Sequence, residues 1–310
     1  MLRVRAFAPA SMGNVAAGFD TLGAALQPED GSSWGDVVEA IEAESPSLNC
    51  VGPFAHRLPA DPSHNLVERA RQCTQALLGY DLPPLALTLH KNLPVSSGLG
   101  SSSSSAVAAV LAIDAALGGP LGPQGQLGVA AEVEGYASGA EHLDNLAPCL
   151  LGGLRLLTPD GRALRLPWPD DLRFVIASQA LELPTRQARQ VLPKQVSLAL
   201  AVAHAQNFAS FVHALHAADR PLLEATLRDL LVEPYRAALV PGFAQAQKNA
   251  LNAGALGCSL SGAGPAVFAV ATKQHSADVG RALTAGFNSA NIACTIRICC
   301  VDLRGARLLD

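Results

Sequence analysis

Residues 94–105, PVSSGLGSSSSS, set two glycines and a run of hydroxyls directly before AVAAVLAIDAALGG, a strong helix former that ends at Gly118. Serine-rich tracts are commonly slack linkers, but the apolar run begins at once here and puts the serines at a helix N-terminus. Such an end carries unpaired backbone N–H groups and about half a positive charge. Gly98 and Gly100 allow the main chain to approach a ligand with no Cβ in between. The chemistry this predicts is anion binding, and a strand feeding the loop makes phosphate the natural guest. A Walker A loop is excluded, because no lysine lies between Lys91 and Lys194. A dinucleotide fingerprint is excluded too, since Ser103 stands where the third glycine belongs.

The elements that must hold this loop read as follows. DVVEAIEA (36–43) and LALTLHKNLP (85–94) are strands, the second alternating Leu85, Leu87 and Leu89 with Ala86, Thr88 and His90. HNLVERARQCTQALLGY between them is a helix closed by Gly79. A long helix follows the serines, then a second, LGVAAEVEGYASG. EHLDNLAPCLLGGLRLL reads as a polar loop running into a strand. Prolines crowd 167–184, and a domain junction is expected there, giving domains 1–166 and 167–310. Beyond it come helices at 195–218 and 222–231, then strand, loop, strand, helix and strand to the end.

With 310 residues, 49% hydrophobic and 15% charged, the chain can bury two moderate cores. Twenty-two basic against 26 acidic residues give a net charge of −4, which fits a small-molecule partner better than nucleic acid or a membrane surface. The 7 cysteines show no metal-ligand spacing and their odd number argues against a disulfide framework, so they read as buried thiols. No signal peptide is read at the N-terminus, and the longest apolar stretch, 106–113, falls short of a membrane span. A cytoplasmic location is expected.

PVSSGLGSSSSSAV resembles the phosphate-binding motif of the GHMP kinases, and APASMGNVAAGFDTLG (8–23) and GCSLSGAGPAVF (257–268) resemble that superfamily's other two signatures. HLDNLAPCLLGG, TRQARQVLP and DLLVEPYRAALVPGF are similar to the homoserine kinases within it. The resemblance spans the whole chain and implies an α+β, two-domain fold, with an N-terminal phosphate-loop domain and a C-terminal ferredoxin-like α/β sandwich. It implies ATP and Mg2+ as cofactors, L-homoserine as substrate, O-phospho-L-homoserine on the way to threonine as product, and a homodimer.

Residue by residue, the resemblance implies that Pro94, Val95, Ser96, Ser97, Gly98, Leu99, Gly100, Ser101, Ser102, Ser103 and Ser104 wrap the ATP phosphates. Ser102 and Glu134 would hold the metal, with Glu132 the weaker competitor. For the substrate zwitterion, Arg189 and Arg236 would meet the carboxylate and Asp20, with Asn14, the ammonium. Thr185 and His142 would line the same pocket, and Asn145 would orient the attacking hydroxyl, where some relatives have an aspartate base. Ser259, Ser261, Gly262 and Gly264 would form a closing loop over the phosphates. Gly13 departs from the alanine common before Asn14. The rivals are another GHMP kinase acting on mevalonate or a sugar, whose substrates lack an ammonium, and a non-catalytic sensor of nucleotide or metabolite. The HxxH of His213 and His216 has no acidic or cysteine partner and reads as structural.

Overall fold

The computed structural model describes residues 2–138 and 143–310. In chain order its strands and helices are β1 (Arg3–Pro9), β2 (Ser11–Gly13), β3 (Leu22–Pro28), β4 (Gly35–Glu42), β5 (Ser47–Val51), α1 (Leu66–Leu78), β6 (Leu85–His90), α2 (Ser101–Ala116), α3 (Gly122–Ser138) and α4 (Leu143–Leu151). There follow β7 (Leu154–Leu157), β8 (Ala163–Leu166), β9 (Leu172–Gln179), α5 (Thr185–Gln190), α6 (Leu198–Ala217), α7 (Arg220–Thr226) and α8 (Glu233–Arg236). The chain closes with α9 (Phe243–Asn252), β10 (Gly257–Leu260), β11 (Val267–Thr272), α10 (Ser276–Asn288), β12 (Cys294–Val301) and β13 (Arg307–Leu309).

The first sheet has the order β13-β1-β4-β6-β5, antiparallel except for β5 beside β6. Period-two alternation does what the sequence predicts: Leu85, Leu87 and Leu89 turn into a core with Val107, Val110 and Ile113 of α2, while Ala86, Thr88 and His90 stay half-exposed. Helix α1 is capped as its sequence dictates, Asn65 accepting from the Val67 amide and Gly79 closing it at φ 74°.

The second sheet runs β10-β11-β9-β12-β3-β7-β8, with β2 on β3. Its two faces separate by residue parity. Phe174, Ile176, Phe268 and Val270 pack with Phe211 of α6 and Leu223 of α7, whereas Val175, Ala177, Val267 and Ala269 pack with Phe243 of α9 and Phe287 of α10. Each of the valine, leucine, isoleucine and phenylalanine side chains contributes about 1.5–3 kcal/mol by leaving water. Helices and sheets are segregated in the α+β manner expected. Strands β3, β7 and β8 share this sheet with β9, and β13 returns to the first sheet, so the chain crosses between the layers repeatedly.

Two elements differ from expectation. Residues 143–151, read as part of a polar loop, form helix α4 with Pro148 inside it. Proline removes only the N–H that would meet the carbonyl of Asp144, and Gly23 of β3 lies so close to that carbonyl that a Cβ there would collide with it. Helix α6, expected as a helix but not as a segment of span length, is long and apolar enough to cross a membrane by length and composition alone, with 22% of its apolar window buried.

Candidate active site

A cleft of about 960 Å³ runs between the two sheets' loops. At one end, β6 delivers the chain into the glycine turn and α2 leaves it. Gly98 has φ 78° and Gly100 φ 62°, conformations that favour glycine. The close neighbours that exclude a side chain there are protein atoms: a Cβ on Gly98 would strike the Ser261 carbonyl, and one on Gly100 would strike Ser11 Oγ. The glycines thus serve the fit of the loop to its surroundings as well as any ligand's approach. The first helical amide to find its carbonyl is that of Ser104, donating to Gly100 at 2.8 Å, so the amides before it remain available at the cleft.

The serines divide their work. Ser104 Oγ donates to the Ala8 carbonyl at 2.7 Å, Ser105 Oγ to Asp36 Oδ2 at 2.6 Å, and Ser101 Oγ to the Leu93 carbonyl at 3.3 Å. These three hydroxyls fix the helix start. Ser102 is different: its Oγ donates to Glu134 Oε1 at 3.0 Å across the cleft from α3. Burial pushes the Glu134 carboxyl above its ordinary range, with the Ser102 hydroxyl opposing. A buried carboxylate and a hydroxyl as paired oxygen donors fit a hard divalent cation. Glu132 is exposed and lies 3.9 Å from Arg69 Nη2, away from this pair.

Of the other loop residues, Val95, Ser96, Ser97, Gly98, Gly100 and Ser103 line the cleft. Leu99 is in the core, Pro94 accepts from Ser97 Oγ at 2.8 Å, and neither lines it. The loop is sewn to the C-terminal half by the Leu183 amide on Ser96 O and the Ala266 amide on Ser97 O, both 3.1 Å.

The opposite end gathers charged side chains. Arg189 Nη2 meets Asp20 Oδ1 at 2.6 Å, and the guanidinium groups of Arg189 and Arg236 lie 5.5 and 5.4 Å from the Phe19 ring centre. Arg236, only 3% exposed, donates to the carbonyls of Ala188 at 3.0 Å and Gly262 at 3.2 Å. Burial and then Arg189 pull its guanidinium below the ordinary value. Asn14 is both a turn residue, at φ 71° and followed by Val15 and Ala16 in positive φ, and a tie: Nδ2 donates to Gly262 O at 2.9 Å and Oδ1 accepts from the Asp20 amide. Thr185 lines this end from the start of α5.

Asn145 stands between the ends, on the first turn of α4, its Oδ1 accepting from Ser11 Oγ at 3.1 Å. Its neighbour Asp144 is buried in the cleft wall, and burial, reinforced by Asp20, raises its carboxyl to about 7, against the pull of Arg189. Gly13 matters here, because a Cβ on it would collide with Asp144 Oδ2. His142 lies outside the described residues. The SLSGAGP segment is the β10–β11 hairpin and also packs on the phosphate loop, Ser261 Oγ donating to Gly98 O at 2.6 Å. Gly262 and Gly264 line the cleft; Ser259 instead bonds Glu233 behind it. Reasoning from sequence missed Asp144 as a buried group, the cleft residues Arg57, Asn65 and Arg186, and a buried pair of Lys91 with Asp36.

Residues 65–153 match the model of the GHMP kinase N-terminal domain and residues 211–289 that of the GHMP kinase C-terminal domain. The crystal structure of homoserine kinase from Cytophaga hutchinsonii superposes with a TM-score of 0.91 at 36% identity, over 99% of this chain and 97% of that one. The chain is a member of the GHMP kinase family. A protein from Listeria monocytogenes, provisionally described as a homoserine kinase, matches at 26% identity and TM-score 0.71 over 100% of both chains. Mevalonate kinase of L. major in complex with R-mevalonate shares the fold at 18% identity and TM-score 0.68 over 94% of each. The architecture is that of the GHMP kinases, ATP-dependent small-molecule kinases, and the two mixed layers agree with it.

Proposed function

We propose that this GHMP kinase transfers the γ-phosphoryl group of ATP to the side-chain hydroxyl of L-homoserine, giving ADP and O-phospho-L-homoserine. One observation carries the reading. A single cleft holds the Ser102–Glu134 pair beside free helix amides at one end, and Asp20 with Arg189 and Arg236 at the other. The first set suits a metal-bound triphosphate; the second suits a zwitterion with an ammonium and a carboxylate. Identity of 36% to a homoserine kinase supports the same substrate.

In this reading the amides at the start of α2 cradle the phosphates and the hairpin of Gly262 and Gly264 covers them. Arg189 and Arg236 take the substrate carboxylate, Asp20 its ammonium, and Asn145 directs the hydroxyl toward the phosphorus. Oxygen–phosphorus bond formation accompanies cleavage of the bond to the ADP oxygen, and the hydroxyl proton passes to solvent or phosphate. Mg2+ held by Ser102 and Glu134 would supply charge neutralisation on the phosphate oxygens.

The deciding experiment is a coupled ADP assay with homoserine, mevalonate, galactose and no acceptor. Turnover confined to homoserine is expected; turnover with mevalonate or galactose alone, or nucleotide binding without any turnover, would replace the reading with another kinase or with a sensor. A homodimer is part of the proposal, supported by the exposed apolar side chains Val196, Leu198 and Val202 at the start of α6. Sedimentation velocity tests it, with a monomer as the contrary result.

A further inference from the structure

Lys91 and Asp36 form an ion pair almost wholly out of solvent, with side chains 2% and 0% exposed, directly beneath the phosphate loop. Their other contacts reach both ends of that loop. Asp36 Oδ1 accepts from the amides of Asn92 at 2.8 Å and Leu93 at 3.0 Å, where the loop begins. Lys91 Nζ donates to the Ser101 carbonyl and to Ser105 Oγ, both at 3.0 Å, where the loop becomes helix. Ser105 Oγ closes the circuit by donating to Asp36 Oδ2 at 2.6 Å, and the Asp36 amide donates to Ser104 Oγ at 2.8 Å. All three ammonium donors of Lys91 therefore have protein acceptors. Lys91 lines the cleft, yet its charge is held by Asp36 and the loop.

We infer that Asp36 and Lys91 are positioning residues for the phosphoryl transfer: together they clamp 91–93 to 101–105 and so set the direction in which the helix amides point. This rests on the reading of that loop as the ATP site. A lysine that answers the phosphate charge itself would need a donor turned toward the cleft; this one is spent on holding the scaffold. Polar burial of this kind costs stability unless fully satisfied, and here each partner has several bonds.

The test compares Lys91→Met, Asp36→Asn and the double variant Asp36→Leu/Lys91→Met with the wild type. Mg-ATP affinity is measured by titration calorimetry and the KM values for ATP and homoserine by the ADP assay. The single variants leave one buried polar partner uncompensated and are expected to lose thermal stability. In the double variant no lone charge remains, so stability should return toward that of the wild type while the loop ends stay untethered. The expected result is a Kd for Mg-ATP raised about tenfold or more in the folded double variant, with the homoserine KM within about twofold. Ser105→Ala, which removes one hydrogen bond to each member of the pair and leaves the ion pair itself, should weaken Mg-ATP about two- to fivefold. Mg-ATP affinity within twofold of wild type in the double variant, or in Ser105→Ala if the double variant does not fold, overturns the inference. A wild type that fails to bind Mg-ATP would instead sink the reading of the loop.

Discussion

At the loop end of the cleft the groups facing a ligand are main-chain amides, hydroxyls and the single carboxyl of Glu134, with Lys91 occupied beneath. At the other end they are Asp20, Arg189 and Arg236, of which the first two already pair with each other. On the proposed function, the difference teaches how a single cleft would accommodate two unlike guests. A triphosphate brings its own metal, so an array of dipoles fixed by buried bonds can hold it without added side-chain cations. A zwitterion brings equal and opposite charges, and a site that pairs its own charges beforehand can exchange that contact for two with the ligand.

The largest expected effect breaks the loop end. Glu134→Ala should cut kcat by about 10³ while nucleotide binding persists, since on the proposed reading the carboxylate holds the metal rather than the phosphates. Single-turnover kinetics beside calorimetry would show it; a loss of both together would mean that Glu134 supports the fold and not the chemistry. The next breaks the substrate end. Arg236→Ala should raise the homoserine KM about 100-fold, a loss of two charge-assisted contacts, and leave the ATP KM unchanged. An effect on ATP alone would erase the division between the ends. Gly98→Ala sharpens the comparison from the loop side: with positive φ and the Ser261 carbonyl in the way, it should cost about 2–3 kcal/mol in urea unfolding and weaken nucleotide binding, whereas Gly161→Ala, in open space at φ 79°, should cost only the conformational part.

What could be read from the chain follows range of interaction. The alternation in β6, the Gly79 closure of α1 and the placing of the serines at the head of α2 depend on neighbours in sequence, and the fold agrees with each. The Ser102–Glu134 contact, 32 residues apart, came from a matching motif rather than from spacing. The Lys91–Asp36 clamp joins residues 55 apart, each unremarkable where it stands, one just past the end of a strand and one at the start of another. Nothing local marks either as buried. Helix α4 was hidden because its polar opening reads as a loop, and it forms with Pro148 inside it where Gly23 lets β3 come close to the Asp144 carbonyl. Asp144 was in view beside Asn145 but its depth was not, and depth is what changes its chemistry.

That depth supplies the last prediction, located where the two ends meet. The Asp144 carboxyl is raised to about 7 by burial first and by Asp20 second, while the unfolded chain would release its proton near pH 4. Between those values the folded protein holds a proton that the unfolded protein has lost, so stability must fall as pH rises through the window, by up to about 1.4 kcal/mol per pH unit. Asp144→Asn removes the titration and should flatten the decline in urea unfolding free energy between pH 4.5 and 7, leaving Glu134, whose carboxyl burial also raises, among the groups that set the slope that remains. An identical slope in the variant would mean that the carboxyl is ionised throughout, held so by Arg189. The substrate end's charges would then reach further into the cleft than the division drawn between the two ends allows.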